Sequence, residues 1–297
     1  MPLINTAAML QHARKNHYAV VGFEPYSIDQ IQLVIEAASE ESAPVILQLW
    51  SEVIVSWGFK LLVSAIRSLA EEVPIPVSIH LDHATDINLI QGALDHGFTS
   101  VMYDGSALPF KDNVEMTRRV VKMARPYGAS VEAELGIIGF IGDFKNVDEA
   151  RIEIARHLTD AATAVQFVQE TGIDILAPAV GSIHGCSMPI ALVDVPRIRE
   201  IAEAIGIPLA LHGGSGVPED TVKQAVEAGI TKLNIDAEIR AVYIRALRKA
   251  VDEIGKGERD TIDLARCPCK IREDVKPAVK AIFRLVGSNG KAPPLIK

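Results

Sequence analysis

The chain of 297 residues is short of cysteine, of positive charge and of long apolar runs, and each shortage removes a class of protein. Three cysteines, Cys186, Cys267 and Cys269, are too few and too unevenly spaced for a disulfide framework, and the Cys-Pro-Cys at 267–269 cannot comfortably close on itself. They are expected to be free thiols, as in a reducing compartment. Lys and Arg number 30 against 38 Asp and Glu, a formal net charge of -8, which argues against a protein that holds nucleic acid by bulk charge. No apolar stretch is long enough to cross a bilayer, and the amino end lacks the charged, apolar and small-residue succession of a secretory signal. No membrane partner and a cytoplasmic location are expected.

What is present is 48% hydrophobic and 23% charged, an ordinary globular balance with ample material for a core. Short β-branched apolar runs alternate with longer stretches of helical period, which predicts parallel strands joined by helical crossovers. Eight strands are expected, at 19–23, 45–49, 77–81, 100–103, 130–134, 175–179, 209–212 and 232–235. Each is almost wholly apolar, as a strand covered on both faces must be. Ser27 and Asp86 stand where helix caps belong, Pro218 opens a helix, and Gly97, Gly172 and Gly229 close others. The pattern predicts an α/β protein, one (β/α)8 barrel over residues 1–297, with a helical extension from about residue 266 whose helix lies near 277–286. Residues 140–153, rich in Gly, Asp and Asn, read as a long loop of the kind that forms a lid or binding element.

Barrel chemistry is found at the carboxyl ends of the strands, where the loops enter the helices. The residues expected there are Asp82 and His83 after strand three, Asp104 after four, Glu132 and Glu134 on five, His184 after six, His212 after seven, and Asn234 and Asp236 at eight. One histidine alone is usually structural, but His83, His184 and His212 at the same end of one barrel suit a catalytic divalent metal with an open position. Zinc fits best, although the residue types do not separate it from cobalt or another borderline ion. His12, His17, His96 and His157 fall on or beside helices and read as solvated. Asp82 is placed to orient a ligand or to act as a general acid/base, and strand alternation points it away from His83. Asp104 and Glu134 read as a second metal position or as a hydrogen-bonded rim. Two glycine-rich turns, at 181–185 and 212–216, present Gly185, Gly213, Gly214 and the Ser215 hydroxyl as an oxyanion cradle or as tight turns.

Six segments in order resemble the class II, metal-dependent fructose-bisphosphate and tagatose-bisphosphate aldolases: HLDHATD at 80–86, GFTSVMYDGSALPF at 97–110, VEAELG at 131–136, VGSIHG at 180–185, LHGGSGVP at 211–218 and KLNID at 232–236. The resemblance implies reversible aldol cleavage of a ketose or ketose phosphate through a zinc-stabilised enediolate. It assigns zinc to His83, His184 and His212, and a second metal position to Asp104 and Glu134. Asp82 becomes the acid/base and Asn234 the residue that steadies the enediolate. Gly185, Gly213, Gly214, Ser215 and Asp236 become substrate contacts, with a monovalent cation in many members. It also implies a homodimer or homotetramer. A zinc hydrolase, or a metal-binding barrel without turnover, is the alternative that the residues alone leave open.

Several positions depart from the family pattern: Cys186-Ser187-Met188 where a phosphate-reaching lysine is usual, Ala237 for threonine, Glu24-Pro25-Tyr26 for an asparagine-rich turn, and Trp50-Ser51 for a serine region. In the loop, Gly139-Phe140-Ile141-Gly142-Asp143 leaves Asp143 as the nearest acidic group for proton transfer. These changes lead to the expectation that fructose 1,6-bisphosphate is a poor substrate, with Arg240 the residue most able to compensate.

Overall fold

A computed structural model describes residues 3–186, 192–254 and 266–292. Eight parallel strands close into a barrel in sequence order: β1 (Val20–Phe23), β2 (Val45–Leu49), β3 (Val77–Ala84), β4 (Ser100–Tyr103), β5 (Ser130–Leu135), β6 (Ile175–Pro178), β7 (Leu209–Leu211) and β8 (Ile230–Ile235). The (β/α)8 barrel anticipated from the alternation of runs is thus the architecture found. Its strands are buried on both faces, and the two faces differ in kind. Val21, Phe23, Leu47, Leu81, Val101, Val131, Leu211 and Leu233 point outward and belong to one continuous apolar core shared with the surrounding helices. The alternate residues point into the barrel, as a period of two requires.

At the amino-terminal end the barrel interior is mainly apolar, with Val20, Ile46, Ile175, Ala177 and Ala210 packed on Met9, Leu10 and Ala13, while the buried Ser78 and Ser130 hydroxyls bond Thr6 Oγ1 and Ala7 N. Met9, Leu10 and Ala13 lie on α1 (Thr6–Lys15), a helix that caps the closed end; the Asn5 side chain accepts from Ala8 N at its start. Each large side chain buried in this plug contributes about 1.5–3 kcal/mol. Two residues further along the inward positions the character changes to Gly22, Gln48, His80 and Glu132, all buried. Gly22 is there for clearance, since a Cβ on it would fall 1.6 Å from Gln48 Oε1.

The crossover helices are α2 (Ile28–Glu40), α3 (Ser51–Trp57), α4 (Phe59–Glu71), α5 (Ile87–Asp95), α6 (Phe110–Ala124), α7 (Val147–Arg156), α8 (Ala161–Thr171), α9 (Val195–Ile205), α10 (Glu219–Ala228) and α11 (Ala237–Ile254). Asp86 caps α5 through the Asn88 amide, whereas Ser27 makes no capping bond and instead donates to Asp29. Gly172 ends α8 in the left-handed conformation. No single helix among the described residues is long and apolar enough to cross a membrane.

Two expectations are corrected. The segment expected as a loop over 140–153 contains a short 3-10 turn (Ile141–Asp143) and most of α7. Asn146 caps that helix by accepting from Glu149 N, and the Glu149 carboxylate reaches back to Lys145 N, so the polar composition is that of a helix start. The C-terminal helix, α12 (Cys267–Leu285), begins ten residues before 277 and carries Pro277 inside it. Its apolar stripe of Ile271, Val275, Val279 and Ile282 is buried against the helix layer, and tertiary packing outweighs the missing amide of one proline. On the flank Lys276 pairs with Glu36 and Glu40, and Arg284 with Glu41, so α12 is riveted to α2.

Two glycines with left-handed backbones separate strain from crowding. Gly128 (φ 66°) has open space where a Cβ would stand, while at Gly136 (φ 80°), which follows β5, a Cβ would lie 2.5 Å from His157 O and 2.6 Å from Ala179 Cβ. Gly128→Ala should cost about 1 kcal/mol, the backbone penalty alone, whereas Gly136→Ala adds overpacking and should cost roughly 2–4 kcal/mol in all. Denaturant unfolding of the two variants checks the order; equal losses would show that the β5 exit has slack.

Candidate active site

The site is built where β3, β5, β6, β7 and β8 end, and its first requirement is a break in strand alternation. Between Leu81 and Ala84 the register of β3 against β4 slips by one residue, and His83 takes φ 45°. This bulge brings Asp82 and His83 to the same cavity, with His83 Nε2 3.9 Å from Asp82 Oδ2. The expectation that alternation separates them is therefore corrected by the local backbone. A left-handed non-glycine residue is costly, and its occurrence at the mouth marks a position fixed by what the side chain does.

His83 Nδ1 is bonded to Asp104 Oδ2 at 2.8 Å, which turns Nε2 toward His212 Nδ1 at 3.0 Å. His212 Nε2 in turn donates to Glu132 Oε1 at 2.6 Å, so its Nδ1 is the acceptor nitrogen and turns its lone pair to His83. Glu132 is held from behind by Lys232 Nζ at 2.8 and 2.9 Å, with both side chains fully buried. His184 is placed by a short parallel bridge, its amide donating to Gly139 O at 2.8 Å and its carbonyl accepting from Ile141 N at 3.0 Å. The three imidazole centroids stand 4.8 to 5.8 Å apart. Glu134 joins them, its Oε2 3.8 Å from His212 Nδ1.

His83, Glu134, His184 and His212 thus offer ligand atoms within 4.8 Å of one another. The fit to a metal can be tested on the atoms themselves. Donor atoms around a tetrahedral zinc stand roughly 3.3 Å apart, close to the 3.0 Å between His83 Nε2 and His212 Nδ1. His184 Nε2 and Glu134 Oε2 are buried with no hydrogen-bond partner, a costly arrangement that a cation would relieve. A second group, His80, Asp82 and Glu132, lies deeper in the barrel, but there Lys232 supplies the positive charge.

The electrostatics divide the ligands. Burial, joined by the charges of His83 and His212, pushes His184 down to about 3, so it is a neutral imidazole with a lone pair to give. Burial also lowers His212. It acts in the same direction on His83, but there Asp82, Asp104 and Glu134 outweigh it and lift the group to about 10. Glu134 is pushed up to about 8 by burial and by Asp104. Burial opposes the ionised form of Asp82, yet His83, His80 and Lys232 prevail and hold it well below the usual carboxylate range. Without a dication, protons on His83 and Glu134 balance the carboxylates.

The remaining expected residues are placed as follows. Asp82, Asn234, Asp236, Gly185, Gly213 and Ser215 line a cavity of about 280 Å³ together with Glu134, His83 and His184, with His212 buried just behind them. Both amide atoms of Asn234 are buried and unpartnered. Ser215 Oγ accepts from Asp236 N and Glu238 N, which leaves its hydroxyl hydrogen free to donate. Gly214 is off the cavity wall, its amide donating to Asn234 O at 3.1 Å, and a Cβ on it would fall 2.6 Å from Leu233 Cδ1 and 2.7 Å from Asn234 O, so its glycine character serves close approach to β8. Asp104 accepts from Ser106 as well as facing His83, which makes it an orienting partner. Asp143 is exposed and off the wall, whereas Phe140 lines it. Met188 lies outside the described residues. The supporting chain of His80, Glu132 and Lys232 was missed as such; its signal is the inward phase shared by 130, 132 and 134.

Fold and site together define a (β/α)8 barrel whose mouth holds an imidazole and carboxylate cluster shaped for a divalent cation. The family described as class II fructose-bisphosphate aldolase matches residues 4–291. Fructose-bisphosphate aldolase of Staphylococcus epidermidis is 37% identical over 296 residues, 98% of this chain and 100% of that protein. That of Geobacillus stearothermophilus is 36% identical, over 98% and 99%. Among solved structures, the YdjI aldolase of Escherichia coli K12 superposes with a TM-score of 0.83 at 30% identity, over 98% of this chain and all of that one. The chain belongs to the class II fructose-bisphosphate aldolase family. It is a carbon–carbon lyase working by metal-dependent aldol cleavage, and the hydrolase and non-catalytic readings are not favoured.

Two measurements probe the cluster. Zinc uptake by metal-free protein at pH 7 should release protons from His83 and Glu134, and apparent affinity should rise with pH as both groups lose their protons. Uptake without proton release would contradict the arrangement. Glu132→Gln, which weakens the grip on His212, should lower metal affinity by about 10–100-fold in a chelator competition.

Proposed function

We propose that this aldolase cleaves and forms a small ketose phosphate reversibly, with zinc held by His83, His184 and His212 and with Asp82 as the acid/base. The observation that carries the reading is a set of buried polar atoms without a hydrogen-bond partner: His184 Nε2, Glu134 Oε2, Asp82 Oδ1 and both amide atoms of Asn234. All belong to residues on the wall of one cavity. Leaving so many groups unsatisfied is costly unless a metal and a polar substrate complete them. A divalent ion bound there supplies Lewis-acid polarisation of the substrate carbonyl.

The chain's own residues do the rest. Asp82, held ionised, is suited to take the proton from the substrate hydroxyl whose carbon becomes the aldehyde. As that O–H bond breaks, its electron pair forms the aldehyde carbonyl, the adjacent carbon–carbon bond breaks, and its pair becomes a carbon–carbon double bond while the ketone's C=O π pair moves onto the oxygen. The unpartnered Asn234 amide is suited to donate to the developing oxyanion. In the synthetic direction Asp82 returns the proton. Gly185, Gly213 and the Ser215 hydroxyl form the wall suited to the phosphate of the ketose. Glu134, with its free oxygen, is the better candidate for a second metal position; Asp104 is engaged by His83.

A retro-aldol assay over ketose phosphates, with and without chelator, tests the reading. Turnover should vanish on metal removal and return with zinc. Asp82→Asn should keep its metal and lose about a hundredfold or more in kcat, the scale of a positioned acid/base. Near-normal turnover would reduce Asp82 to an orienting group. His212→Ala should lose stoichiometric zinc by elemental analysis, and equal metal in both proteins would remove His212 from the ligand set.

A further inference from the structure

Across the barrel mouth from the β6 exit at Gly185, the cavity ends on β1 and β2 in Glu24, Gln48 and Trp50, while Asp236 and Arg240 at the β8 exit adjoin Ser215, whose Oγ accepts from Asp236 N. The metal and the acid/base do not use these groups, and their chemistry is unlike that of an anion site. The single cation, Arg240, is already committed: its guanidinium meets Asp236 Oδ2 at 3.1 Å, donates to the Tyr26 hydroxyl at 3.1 Å and lies over the Tyr26 ring. The Tyr26 hydroxyl in turn donates to Asp236 Oδ1 at 2.7 Å, which closes the network. Both polar contacts use Nη1, so Arg240 is held at this exit with its charge already balanced by Asp236.

What remains available to a ligand is neutral or acidic. No side chain among the described residues hydrogen-bonds the half-buried Glu24 carboxyl, which faces the same cavity as Asp82 and Asp236. Gln48 is only 1% exposed, and its Oε1 is buried without a partner. Trp50, 38% exposed at the start of α3, offers an aromatic face at the rim. Burial and the neighbouring carboxylates push Glu24 well above the usual carboxylate range, so it can donate as well as accept. A carboxyl, an amide and an indole face suit the hydroxyl groups and C–H face of a sugar chain, while a phosphate here would meet carboxylates with no unpaired cation among the described residues.

We propose that Glu24, Gln48 and Trp50 form a subsite for the hydroxylated, uncharged end of a ketose that carries its one phosphate at the opposite wall. The preferred substrate is then a ketose monophosphate, and fructose 1,6-bisphosphate is discriminated against at its second phosphate. The proposal rests on the aldol reading for the placement of the carbonyl, but binding tests it independently of turnover.

The experiment is calorimetric titration of zinc-loaded Asp82→Asn protein with fructose 1-phosphate and with fructose 1,6-bisphosphate. The monophosphate should bind at least roughly tenfold more tightly. Adding either Glu24→Ala or Trp50→Ala should weaken monophosphate binding and bring the two affinities within roughly threefold of each other. The Trp50 side chain sits at the rim, so its variant serves even where the Glu24 variant folds poorly. Equal affinities before these substitutions, or a preference unchanged after both, would overturn the subsite. Failure of the wild-type holoenzyme to cleave either ketose would instead count against the aldol reading, and the binding ratio would still decide the subsite.

Discussion

The site depends on one buried ion pair. Lys232 and Glu132 have no exposed surface and face each other across the barrel interior at 2.8 Å. Removing either partner would leave an uncompensated charge in a medium of low dielectric, a loss of about 3–5 kcal/mol. The pair therefore fixes β5 against β8, and its second consequence is chemical. Glu132, anchored by the lysine, accepts from His212 Nε2 and so decides which ring nitrogen faces the metal side. Lys232 is thereby engaged in structure and electrostatics and is not a free amine nucleophile, which agrees with a metal-dependent mechanism.

The same pair explains how an apolar-looking barrel can carry a polar interior. Outward positions alternate with inward ones, and the outward set supplies the continuous hydrophobic layer under the helices. With stability supplied by that layer and by the α1 plug, inward positions near the carboxyl ends can hold His80, Glu132, Glu134 and Asp82. The price is a group of buried atoms left without partners, gathered mainly on the cavity side.

Much of this was legible in the sequence because it depends on local periodicity. The eight strands and the arrival of His83, His184 and His212 at one end followed from runs of β-branched residues and from where those runs stopped. What was hidden depends on tertiary geometry. The bulge at His83 breaks the alternation that placed Asp82 and His83 on opposite sides, and no residue in His80-Leu81-Asp82-His83 announces a left-handed backbone. Asp104 and Glu134 looked equivalent as carboxylates; only distance shows that one is bonded to His83 while the other keeps a free oxygen. In α7 the Gly, Asp and Asn content drew attention from Asn146 and Glu149, which are the start signal. In α12 the proline at 277 suggested a helix start, although the apolar stripe already ran through it.

Arg240 shows why charge counting along a chain falls short of predicting recognition. Its position one turn into α11 suggested a replacement for the absent lysine, and a guanidinium is indeed a strong phosphate ligand when its donors are free. Here Asp236 neutralises the charge and Tyr26 takes a donor, so the group braces β8 to the β1 exit. Trp57 reinforces that exit by donating from Nε1 to Tyr26 O at 3.1 Å. An arginine spent in this way fixes the backbone exit of β1, beside which the Glu24 carboxyl stands without a side-chain partner among the described residues. The β6 and β7 exits, built from glycine turns and a serine whose hydroxyl hydrogen is uncommitted, keep the features an oxyanion needs. The two ends of the cavity differ in the charge they can accommodate, and that asymmetry gives the substrate a direction before any contact with the metal.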